Sequence, residues 1–170
     1  MAHFAKIRTS DNKVLQVVVI CDSEVSYNGD PAGEVYCQRI FKTDASEYYW
    51  KQTSYNTYGN KHYVFGENSK VESEDQTKAF RGNFAGPGMF YDHTKDIFYW
   101  GKADVGMSGW TFDDSIASWK PPVDYPANDL FNEDKVFYKW DDATLGWVGK
   151  TDNDVPVEVR WDSATQAWIK

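Results

Sequence analysis

The sequence predicts a mainly β protein, and three observations carry that expectation. Short runs of β-branched and aromatic residues alternate with turn residues along most of the chain. Only one stretch has helical spacing, and an aromatic–Asp pattern recurs four times. The expected architecture is an α+β N-terminal module with one short helix, followed by antiparallel β-hairpins that form a meander. In chain order, residues 3–7 and 14–20, separated by a polar turn, read as a hairpin. The uninterrupted run VLQVVVI makes the second strand the expected central one, buried on both faces. Residues 34–41 fit two helical turns. Residues 48–52 and 63–65 read as strands, and the polar stretch from Gly66 to Lys78 reads as a solvated loop.

The repeat occupies the second half. Its copies are Tyr91-DHTKDI-Phe98, Phe112-DDSIAS-Trp119, Trp140-DDATLG-Trp147 and Trp161-DSATQA-Trp168. Six residues between the rings make a four-residue hairpin loop after one more cross-strand pair, so the two rings share one face. The leading Asp of each copy (Asp92, Asp113, Asp141, Asp162) suits the role of acceptor for amides about two residues on, which opens a turn. Residues 155–161 alternate apolar and polar, with Pro156 marking an edge or a strand start. Three prolines between residues 121 and 126 suggest a linker, giving a module of residues 1–120 and a C-terminal meander of residues 127–170.

Charge and composition narrow the function. The chain holds 18 Lys and Arg against 26 Asp and Glu, a formal charge of -8, with no basic run able to track phosphates, so nucleic acid is not an expected partner. The longest apolar run, Val14 to Cys21, is far shorter than the roughly 20 residues that span a bilayer, and no cleavage site follows it, so neither membrane nor signal peptide is expected. Cys21 and Cys37 lack C-x-x-C spacing and read as buried reduced thiols. The three histidines have no metal-ligand spacing, and no nucleophile, base and orienter stand out. No cofactor, metal or catalytic residue is therefore assigned, and the protein is expected not to be an enzyme. The glycines of RGNFAGPGM match no phosphate-binding spacing and read as a tight turn.

Seven of the 8 Trp lie from Trp100 onward, and their pairs are the one feature with two opposed readings. Trp140, Trp147, Trp161 and Trp168 with Asp141 and Asp162 form a candidate docking or glycan platform, because sugar faces stack on rings while hydroxyls bond to carboxylates. Alternatively, the paired rings are the core of a thin hairpin structure poor in aliphatics.

Several segments carry a resemblance: MAHFAKI with VLQVVVI, QTSYN at 52–56, NFAGPGMFYD at 83–92 and GWTFDDSIASWKPP at 109–122. They resemble a group of small proteins of tailed phages of marine bacteria, cyanophages among them, over most of the chain up to about residue 150. The loop between Tyr63 and Lys78 and the final hairpin depart from the group's usual pattern. The resemblance implies a phage origin and a virion-associated structural role, with no catalytic residue to carry over. The resulting expectation is a non-enzymatic head-decoration or tail-attached accessory protein, assembled in many copies in the host cytoplasm and docked on other capsid or tail proteins. The alternative is a glycan-recognition module that aids adsorption to host surface polysaccharide.

Overall fold

The computed structural model describes residues 1–23, 33–66, 69–105 and 109–170. It is mainly β, with several antiparallel sheets. Packing divides the chain into two compact units, Met1–Gly101 with Asp113–Ser118, and Lys102–Phe112 with Trp119–Lys170.

In the first unit, β1 (Ala2–Arg8) lies between β2 (Val14–Ile20) and β3 (Tyr48–Thr53), both antiparallel to it. This corrects the expected order. The strand buried on both faces is β1, despite its His and Lys, whereas the apolar β2 is an edge strand with Leu15 and Val19 exposed. β1 becomes central because the chain returns through helix α1 (Gly33–Ile40) to lay β3 along its free side. Lys6 is accommodated there with its ammonium 4.1 Å above the Tyr48 ring. One face of this sheet packs Phe4 and Trp50 against Tyr36 and Cys37 of α1. The other packs Ala5, Ile7 and Val14 against Ala85, Met89, Tyr91 and Phe98. Cys37 is buried, which pushes its thiol up to about 12 and leaves it inert, whereas Cys21 is exposed rather than buried.

Glu34 of α1 and Asp96 share Arg81, at 3.1 and 3.0 Å, and the same guanidinium donates 2.9 Å to the carbonyl of Gln52. A second small sheet has the order β4 (Thr57–Tyr58), β5 (Lys61–Phe65), β6 (Lys70–Glu72). The stretch expected to be a loop therefore contributes a strand, then a 3-10 turn at Gln76–Lys78 capped by the Asp75 side chain. Gly82 and Gly88 adopt φ of +71° and +96°, as a tight turn demands. The hairpin of β7 (Phe90–Asp92) and β8 (Ile97–Tyr99) completes this unit's strands, with Tyr91 paired opposite Phe98.

The second unit begins with a one-turn helix α2 (Lys102–Val105), so α1 is not alone. β9 (Thr111–Asp113) and β10 (Ser118–Lys120) form a two-stranded hairpin, of which Asp113–Ser118 belong to the first unit and the remaining residues to the second. A five-stranded meander follows: β11 (Leu130–Phe131), β12 (Asp134–Asp141), β13 (Gly146–Thr151), β14 (Glu158–Asp162) and β15 (Ala167–Ile169). β14 starts two residues after Pro156, and Val155 is exposed ahead of it. The meander curls until β11 runs close to β15, and the Trp168 indole N–H donates 3.0 Å to the Asn128 carbonyl.

The proline segment 121–126 belongs to this unit's packing instead of standing apart as a linker. Val123 packs against the unit's core, Tyr125 lies 4.7 Å from Trp147 between centroids, and the Trp147 N–H reaches the Val123 and Asp124 carbonyls at 3.2 and 3.0 Å. Trp110, upstream of the expected boundary, is buried in the same cluster. The unit around the meander thus takes in residues well before 127. A thin curled sheet has too little apolar area to stand alone, and the preceding segment supplies the missing cover.

Candidate functional site

The repeat folds as its spacing dictates. Tyr91 pairs with Phe98, Trp140 with Trp147 and Trp161 with Trp168 in register, and Phe112 meets Trp119 edge-on at 5.2 Å. The fourth residue after each Asp takes a left-handed conformation in all four copies: Asp96, Ala117, Leu145 and Gln166, with φ between 45° and 54°. None of these is glycine, so the ring pair and the Asp hold the loop in a conformation its sequence does not favour locally. The Asp carboxylates do hold it. Asp92 accepts from the Thr94 and Lys95 amides at 2.8 and 3.0 Å, Asp113 from Ser115 at 2.9 Å, Asp141 from Thr144 at 3.2 Å and Asp162 from Ala164 at 3.1 Å.

Hydrogen bonds from the Thr144 and Thr165 hydroxyls, with the turn amides, lower the pKa of Asp141 and Asp162. Asp11 falls to about 2, chiefly through its hydrogen bond from Arg8. A depressed folded-state pKa contributes stability that is present above the unfolded value of 3.8 and lost as pH falls through the folded one. The melting temperature should therefore drop between about pH 4 and about pH 2, and Asp141→Asn with Asp162→Asn should flatten that drop. A melting temperature equally steep in the double variant would remove these carboxylates from the turn's stability.

Of the six residues singled out in the sequence, three rings are enclosed. Trp147 is 5% exposed, and Trp161 and Trp168 are also buried, in one cluster with Trp110, Val136 and Val159. Trp140 is half-buried and donates 2.9 Å to Asp142. Asp141 and Asp162 are half-buried with their oxygens engaged in the turns. Trp147, Trp161 and Trp168 are packed into the core, whereas Trp140 keeps part of its surface exposed.

The exposed chemistry lies on the other side of the same sheet. Side chains alternate along each strand, so Val136, Trp140, Trp147 and Val159 point inward while their neighbours point out. The register aligns those neighbours in two rows: Lys139, Val148, Arg160 and Ile169 across β12 to β15, and Phe137, Lys150 and Glu158 across β12 to β14. Between them lies a groove of about 870 Å³, which Lys170 also lines. Phe137 is 60% exposed, and Lys150 pairs with Glu158 at 3.1 Å. Sequence reasoning missed this face because it followed the rings. The signal was the polar and basic set at the alternate positions.

A second exposed surface belongs to the first unit. Tyr58 pairs with Lys61, and Phe65 with Lys70, so Tyr58, Tyr63 and Phe65 fall on one face of the β4–β6 sheet. Tyr58 is 68% and Phe65 72% exposed, and Val64 and Val71 are exposed on the reverse. Lys70 sits 4.9 Å over Tyr55 and 5.6 Å over Phe65.

Among the described residues, no group of three or more His, Cys, Asp or Glu is placed to hold a metal ion, and no helix is long and apolar enough to cross a membrane. No family model matches the chain, and no curated protein or solved structure is significantly similar to it.

Proposed function

We propose that the chain is a non-enzymatic structural component of a tailed-phage virion, a head-decoration or tail-attached accessory protein present in many copies. The observation that carries this reading is the aromatic stripe of Tyr58, Tyr63 and Phe65. Large exposed aromatic rings gathered on one sheet face, here among Lys61, Lys70 and Glu72, are a cost in a free monomer and favour a site that another protein covers. Exposed aromatic residues are also among the residues that interface cores favour. The sequence resemblance supports the virion setting, and the sequence's lack of a catalytic set supports a structural role. The test is mass spectrometry of purified particles, with Tyr58→Ser/Phe65→Ser as the companion variant. Recovery of the wild-type chain in stoichiometric amounts, with the variant folded but missing from particles, supports the reading. Absence of the wild-type chain from particles refutes it.

A further inference from the structure

We propose that the outer face of the meander binds an acidic polysaccharide, one whose sugar rings carry carboxylate or sulfate groups. The proposal is independent of the stripe on the other unit and of where the protein assembles. It starts from a charge contrast. The chain is at -8, and residues 101–170 contain 13 acids against 7 bases, yet Lys139, Lys150, Arg160 and Lys170 line one groove. The two acids that line it with them are already engaged. Asp141 is held in its turn by Thr144, and Glu158 is paired with Lys150. Among the described residues, no ion pair within 4.0 Å engages Lys139, Arg160 or Lys170. Lys139 and Arg160 act on Asp141 and Asp162 only at longer range, lowering the pKa of those carboxylates in part without forming an ion pair with them. Cations so placed in a concave site still attract an anion, and the attraction is local because salt screens the rest of the chain beyond about 8 to 10 Å.

The same groove has what a sugar needs besides charge. Phe137 is 60% exposed, with the Lys135 ammonium over its ring 5.9 Å from the centroid, and Val148 gives apolar floor between the basic positions. Adjacent strands lie about 4.8 Å apart and alternate residues along a strand about 6.7 Å apart. Ring, floor and cations are thus set at the scale of single sugar units along a chain. A sugar would lay its apolar face on Phe137 while its acidic groups met Lys139 and Arg160. A protein partner is the poorer fit, because interface cores are depleted in Lys and Glu, and of the two aromatic residues that line this groove only Phe137 is largely exposed, the Tyr138 ring lying against Trp147 and Trp168.

The experiment uses the full chain and isothermal titration with four probes: a polyuronate, dextran sulfate, neutral dextran and polyglutamate. Binding to the polyuronate, to dextran sulfate or to both, with none to dextran, is the expected result, and the preference between the two assigns the acidic group. Lys139→Glu/Arg160→Glu should weaken it about tenfold or more, and Phe137→Ala about threefold to fivefold. All three residues are exposed, so the melting temperature should hold. Should charge reversal disturb the fold, Lys139→Gln/Arg160→Gln removes the same charges. Three results overturn the proposal. One is no binding to either acidic polysaccharide, and another is unchanged binding in Phe137→Ala, which reduces the face to an ion exchanger. The third is polyglutamate binding as tightly as the polysaccharides, which makes the face a dock for an acidic protein.

Discussion

Trp147→Ala should destabilise the C-terminal unit by about 3 to 5 kcal/mol, the range for removing a large buried side chain. The expectation rests on the ring's surroundings. Trp147 stands at the centre of the aromatic cluster, with ring centroids of Tyr125, Trp140, Tyr138 and Trp110 at 4.7, 5.3, 5.7 and 6.1 Å. Its N–H also anchors the proline segment through two carbonyls. Trp147→Phe separates the two contributions. It keeps part of the apolar contact while removing the N–H and some ring volume, so it should cost less than Trp147→Ala, about 2 to 3 kcal/mol. Urea unfolding followed by tryptophan fluorescence reads both. A Trp147→Ala protein with an unchanged midpoint would mean that the ring is not packed, and the glycan platform first considered for it would return.

That result would also bear on which parts of the molecule a sequence reveals. The hairpins were legible because ring spacing, turn length and the leading Asp all demanded the same local geometry, and each copy repeated the demand. Helix α1 was legible for the same reason, since its apolar positions recur at helical spacing. The order of β1 and β2 was not. Hydropathy ranks VLQVVVI above AHFAKIR, but which strand is central depends on where β3 docks, and that is a tertiary choice. The proline segment misled in a similar way. Prolines exclude regular strand and helix, yet they do not prevent Val123 and Tyr125 from filling a core. The basic groove was hidden because Lys139, Lys150 and Arg160 lie on three different strands and Lys170 just past a fourth, so that only the register brings them together. Net charge, the quantity a sequence offers most readily, pointed to an acidic surface in that half of the chain and said nothing of this local exception.

The other large effect is expected at Asn83→Ala, a residue outside every motif with a ligand in view. Asn83 is buried, and its side chain joins three separate segments of the first unit. Its amide nitrogen donates 2.8 Å to the Phe98 carbonyl and 2.8 Å to the Ala117 carbonyl, while its oxygen accepts 3.0 Å from the Gly59 amide. Two of those partners sit at the far ends of repeat hairpins, one of them the left-handed Ala117, so a single amide fastens two copies of the repeat to the β4–β5 turn. Next to it, Gly82 has no room for a side chain, because a Cβ there would lie 2.9 Å from both Ala117 and Ile97. The segment is thus drawn in close, and water has little access to groups left unpaired. Each orphaned buried group costs about 1 to 3 kcal/mol, so Asn83→Ala should lose about 3 to 5 kcal/mol. At about 2 to 4 °C per kcal/mol for a chain of this size, that is on the order of 10 °C in melting temperature. Asn83→Asp supplies the control. It keeps the acceptor for Gly59 but loses both donors and buries a charge, and burial raises a carboxylate's pKa. Its stability should be highest at low pH, where the protonated acid donates to one carbonyl, and should fall as pH rises through the folded-state value. This is opposite in sign to the turn aspartates. Melting curves for the wild type and both variants between about pH 4 and about pH 8 show the difference directly. If Asn83→Ala melts with the wild type, or Asn83→Asp shows no loss as pH rises, the amide is not the joint that holds these hairpins.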